Sequence, residues 1–93
     1  MDPLIAAEIL LEEVGKLRAL PYAQLVGRIG EPEVHEITGS DGKLYQVEIG
    51  CHWDSVEGGN VRVITAIDDG KLTDIAPLTD DFIKASDESF VGE

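Results

Sequence analysis

Residues 43–53 read KLYQVEIGCHW, and their alternation decides the fold. Tyr45, Val47, Ile49, Cys51 and Trp53 fall on one face of a pleated strand, and Leu44, Gln46, Glu48, Gly50 and His52 fall on the other. A strand that is apolar on one side only belongs to an antiparallel sheet with one face packed and one open to water. Upstream, VHEIT (34–38) is separated from it by the turn formers GSDG, so the two read as a hairpin. Downstream of the polar loop DSVEGGN, the run VRVITAID (61–68) places Val61, Val63, Thr65 and Ile67 on one face and Arg62, Ile64, Ala66 and Asp68 on the other. Asp69 and Gly70 then offer a two-residue turn into KLTDIA (71–76), which stops before Pro77 and is expected as the fourth strand.

The flanks supply the helices. In DPLIAAEILLEEVGKLRAL, Asp2 is placed to cap and Pro3 to occupy the first helical position, so the spacing predicts a helix over 3–20. Its expected apolar stripe is Ala7, Leu10, Leu11, Val14 and Leu17, widened by Ile5 and Ile9, with Glu12 in reach of Lys16. So wide a stripe suits docking on a sheet, the commoner solution, or self-association. PYAQLVGRIG predicts a short second helix over 21–28. In PLTDDFIKASDESFVGE two readings compete: a helical turn from Thr79 to Phe82, or a small hairpin of FIKA and SFVG across SDES, which is preferred. The expected fold class is α+β: an N-terminal helix (3–20) and a short second helix packed on one face of a four-stranded antiparallel β-meander, with a small C-terminal hairpin. Ninety-three residues fit one domain, 1–93, and bury roughly 60–65 % of the surface exposed on unfolding.

Nineteen acids against seven bases give a net charge of −12, and eight of the acids lie in residues 68–93, where Lys71 and Lys84 are the only cations. Such a field opposes nucleic acid and anionic membranes, whose affinity comes from Lys and Arg. It favours solubility, and it steers a basic protein partner inward. Asp68, Asp69, Asp80 and Asp81 are the expected contact residues for that partner. The lone Cys51 cannot form an internal disulfide, no basic leader precedes the first helix, and no apolar run approaches a membrane span, so a cytoplasmic chain is expected.

Chemistry-bearing residues are few. Cys51 and His52 are adjacent on a strand and point to opposite faces, so they do not make a nucleophile–base pair, and Cys51 reads as core. On the polar face, Glu48, His52 and Arg62 are the candidate ligand-binding residues, with His35, Glu36 and Asp74 as possible neighbours. Glu48 and His52 stand about 13 Å apart along the strand, so any direct partner comes from a neighbouring strand. No zinc spacing, EF-hand loop, phosphate-binding glycine motif or nucleophile elbow is present, so no metal, cofactor or catalytic residue is expected.

YQVEI, the WD pair, RVITAIDDG, PLTDDFI and the terminal SFVGE together resemble a group of small acidic bacterial proteins of no assigned function. The likeness covers the chain from about residue 25 onward and implies a helix and a meander, with no activity or site. The group's pattern has a Gly-Trp-Arg-like stretch after the aspartates and a Pro-Asp-Gly turn before SFVGE, whereas this chain has Lys71, Leu72 and Thr73, and Ser86, Asp87 and Glu88.

Three functions follow as expectations. The first is a non-catalytic protein-binding module, like an immunity protein or inhibitor, that docks a basic partner. The second is a small-ligand binder or enzyme built on Glu48, His52 and Arg62. The third, compatible with both, is a homodimer joined through the helix stripe or a sheet edge.

Overall fold

In the computed structural model, which describes residues 1–70 and 77–93, strand β2 (Leu44–Trp53) runs through the middle of an antiparallel sheet. Its neighbours are β1 (Glu33–Thr38) on one side and β3 (Val61–Asp68) on the other, and β4 (Leu78–Lys84) lies beyond β3, giving the order β1-β2-β3-β4. The fold is thus the expected α+β meander, built from sequential hairpins. The strand expected over KLTDIA (71–76) lies outside the described residues. Among the described residues the strand beyond β3 is Leu78–Lys84, which contains the start of the FIKA arm that the preferred hairpin reading expects and excludes the alternative helical turn from Thr79 to Phe82. Thr79 followed by two aspartates resembles a helix start, but β3 is buried along its helix-facing side and its backbone N–H and C=O groups need a second neighbour, so pairing prevails.

The small C-terminal hairpin is present, with β4 as its first arm. Lys84 bridges to Phe90, the Ala85 N–H donates to the Ser89 carbonyl at 2.9 Å, and the Val91 N–H donates to the Ile83 carbonyl at 2.9 Å. Phe82 and Phe90 meet edge to face, with ring centres 5.7 Å apart.

Register divides the sheet as the alternation predicts. Tyr45, Val47, Ile49 and Cys51 on β2 and Val61, Val63, Thr65 and Ile67 on β3 are all buried. Tyr45 packs its ring where a Gly39 side chain would stand, 2.6 Å from the position of such a Cβ, so residue 39 must lack one. The Tyr45 hydroxyl donates to Asp41 at 2.8 Å, and Gly42 closes the turn at φ 77°, in the left-handed region.

Helix α1 (Pro3–Arg18) starts at Asp2, whose carboxylate accepts from the Leu4 and Ile5 N–H groups at 2.9 and 3.3 Å. It packs on β3 and β4, while α2 (Tyr22–Val26) covers β2 and β3 through the fully buried Leu25. The buried stripe of α1 is Ala6, Leu10, Val14 and Leu17, with Ile5 and Ile9 partly buried. This corrects the expected stripe: Ala7 is exposed, and Leu11 is 72 % exposed, on the same outer face as Leu4. Leu10 and Leu11 are adjacent apolar residues about 100° apart on the helix, and docking turned Leu10 to the sheet. The far end of α1 is held by the nearly buried Lys84, whose ammonium donates to the carbonyls of Arg18 at 3.2 Å and Leu20 at 2.8 Å.

Candidate functional site

Among the described residues, the helices cover one face of the sheet and leave the other open. Across it the strand pairing sets rows of neighbours: His52 opposite Arg62 opposite Ile83, then Gly50 opposite Ile64 opposite Asp81, then Val34 opposite Glu48 opposite Ala66. Gly50 therefore leaves a gap in the second row, between Glu48 and His52 on its own strand. A glycine inside a strand often marks a place where another group comes close. Here the gap is the floor of a cleft of about 410 Å³, with Ile64 and Ala66 beside it and Glu31 and Pro32 along the edge that leads into β1. The edge is fixed by Gly30 at φ 84° and by a bridge of Ile29 to Cys51.

Glu48 and His52, two of the expected ligand-binding residues, both line this cleft. The His52 ring leans back over the gap, with Nε2 2.9 Å from where a Gly50 Cβ would stand. Arg62 sits opposite His52, but its guanidinium is already engaged: Nε donates to Asp54 at 3.0 Å and another nitrogen donates to Asp81. The hydrogen bond to Asp54, reinforced by the charges of Asp54 and Asp81, raises the Arg62 pKa further. The expected trio thus separates into a Glu48–His52 cleft and a carboxylate-bound arginine beside it. Of the suggested neighbours, Glu36 shares the open face, His35 lies on the helix face next to Glu33 at 3.4 Å, and Asp74 lies outside the described residues.

The aspartates expected to meet a partner are dispersed. Asp68 is on the open face and accepts from the Gly70 N–H at 2.7 Å, while Asp69 lies 3.2 Å from the Met1 amino group. Asp80 pairs with Thr65 and so belongs to the helix face, where it accepts from the Asp81 N–H at 2.8 Å. Asp81 is on the open face and bound to Arg62.

Cys51 is 3 % exposed, and burial pushes its thiol pKa up, so it is not a thiolate nucleophile at neutral pH. Among the described residues, no three His, Cys, Asp or Glu side chains are grouped to hold a metal ion, and no helix is long and apolar enough to cross a membrane.

What the open face does carry is exposed apolar surface. Val34 is 60 % exposed, Leu44 57 % and Ile64 39 %, and all three point away from the helices. Glu36, Glu48, Asp68 and Asp81 stand among them, with Arg62 as the only Lys or Arg on those strand faces among the described residues. Sequence reading found Glu48 and His52 but missed Gly50, Ile64, Pro32 and Glu31; the glycine between two polar residues was the signal available for the cleft. Asp54 was legible only through the hairpin, which brings the residue after Trp53 back beside Arg62. Compared with known proteins, the chain matches no protein-family model, no curated protein and no solved structure.

Proposed function

We propose that this chain is a non-catalytic binding module that docks a basic protein partner, in the manner of an immunity protein or inhibitor, and that the open sheet face is the docking surface. The observation that carries the reading is the combination on that face of exposed Val34, Leu44 and Ile64 with carboxylates that outnumber its one arginine. Apolar patches set among polar residues are a usual feature of protein interfaces, and a net negative field selects a positive partner. This moves the contact surface from the Asp68–Asp81 region as a whole to the strand faces, with Asp68 and Asp81 at its margin. A lone, buried cysteine suits a reducing cytoplasm.

The test is capture from a lysate of the source cells with wild-type protein and with Ile64→Lys. A partner held at low salt, released as salt rises and lost with Ile64→Lys supports the reading. Absence of any partner, or one that binds both proteins alike regardless of salt, contradicts it.

A second reading, a small-ligand site, is favoured by the convergence of Glu48 and His52 on one cleft. It requires no contribution from Arg62. Binding of a small molecule that His52→Ala abolishes, with no change in melting temperature, would establish it over the first.

A further inference from the structure

We propose that the cleft over Gly50 receives one lysine side chain of the basic partner. The inference rests on the docking reading above and adds to it a specific anchor. The cleft has two chemically different parts. Its floor and one wall are apolar: Gly50 offers no side chain, and Ile64, Ala66 and Pro32 present hydrocarbon. Its rim carries two exposed carboxylates, Glu31 and Glu48, neither of which forms an ion pair among the described residues. This contrasts with the cations nearby, since Arg62 is bound by Asp54 and Asp81, and Arg28 by Glu33 at 3.1 Å. The cleft lining therefore combines hydrocarbon with two carboxylates that no described cation pairs.

A lysine side chain matches both parts. Its methylene stem lies against apolar surface while the ammonium stays at the wet rim. The ammonium is a compact point charge with three rotatable donors, able to serve two carboxylates from different segments, whereas the planar arginine fork is matched to one carboxylate held bidentately. A purely apolar side chain would cover the floor but take water from both carboxylates without replacing it. An acidic one would add like charge. His52 leans over the gap as an exposed ring at the end of a side chain, so an incoming stem can displace it without moving backbone.

The test is an amide-resolved NMR titration of the whole chain with three capped peptides: a heptapeptide with one central lysine, the same peptide with Nε-acetyl-lysine, and a longer lysine-rich peptide. The key variant is Gly50→Val, which fills the gap over Gly50 at the base of the cleft and places a β-branched residue in a central strand, so the sheet is retained. The expected result is that the lysine heptapeptide shifts Glu48, Gly50, Ile64 and Ala66, and that acetylation or Gly50→Val each weakens binding about tenfold. If the lysine-rich peptide binds the open face of Gly50→Val as it binds wild type, or acetylation changes nothing, the anchor is refuted and the docking face stands. If no basic peptide shifts any open-face amide, both fail. Should Gly50→Val lose its dispersed spectrum, the double variant Glu31→Gln with Glu48→Gln decides. It must erase the preference for lysine over acetyl-lysine, and a retained preference overturns the inference.

Discussion

Arg18 and Glu93 join the last turn of the first helix to the end of the chain: two guanidinium nitrogens donate to the two carboxylate oxygens at 2.8 and 2.5 Å. The same guanidinium lies 3.9 Å from the centre of the Phe90 ring, so the C-terminal hairpin is fastened by stacking as well as charge. The Tyr22 N–H adds a further tie, donating to Glu88 at 2.9 Å.

The Arg18 hydrogen bonds hold the Glu93 carboxyl below its ordinary pKa. A carboxylate with a depressed folded pKa contributes stability that is present above the unfolded pKa and lost as pH falls through the folded one. NMR titration of the side-chain carboxyl is expected to give a midpoint below the ordinary glutamate range, restored by Arg18→Gln. Acidification should accordingly erode the melting temperature of wild type more than that of the variant. Equal midpoints in the two proteins would mean that the clamp does not form in solution.

The orientation of α1 is open to a paired substitution. Leu10 is buried and Leu11 is 72 % exposed, so Leu10→Ala is expected to cost about 2–5 kcal/mol and Leu11→Ala less than about 0.5 kcal/mol. Chemical denaturation measures both. The reverse order would restore the stripe through Ala7 and Leu11.

Thr65 is fully buried, and its hydroxyl is the buried side-chain oxygen without a hydrogen bond among the described residues. Replacing it with valine keeps the shape and removes an unsatisfied polar group, so Thr65→Val is expected to stabilise by about 1 kcal/mol. A loss of that size would reveal a hydrogen bond to the hydroxyl.

Cys51 should resist thiol reagents in the native protein and react on unfolding, because it is buried and its pKa is raised by that burial. Colorimetric thiol titration with and without denaturant checks this. Rapid native labelling would place the sulfur on the open face and reverse the strand's two sides.

The fold was legible wherever one residue's neighbours constrained it. The Tyr45 to Trp53 alternation fixed which face packs, and with it the separation of Cys51 from His52; β3 spans Val61–Asp68, the range its pattern implied. Of β4, the Phe82–Lys84 end was legible as an arm of the C-terminal hairpin, whereas its pairing with β3 was not, because Thr79, Asp80 and Asp81 resemble a helix start locally and become a strand only when β3 supplies the other half of the ladder. The choice between Leu10 and Leu11 likewise depended on the docking angle of a helix with two adjacent leucines. For the site, alternation placed Glu48 and His52 on the correct face. It could not supply the Glu31–Pro32 edge, which approaches Gly50 from outside the strand, nor the carboxylates that occupy Arg62.

The central claim, that the open face docks a basic partner, is tested most directly by calorimetric titration of a lysine-rich peptide into wild type, Ile64→Lys and Leu11→Lys. Both substitutions add one positive charge at an exposed apolar residue, but only Ile64 is on the open face. The account predicts salt-sensitive binding to wild type and Leu11→Lys alike, and a loss of about tenfold or more in Ile64→Lys. Equal affinity for all three proteins, or a loss confined to Leu11→Lys, would contradict it.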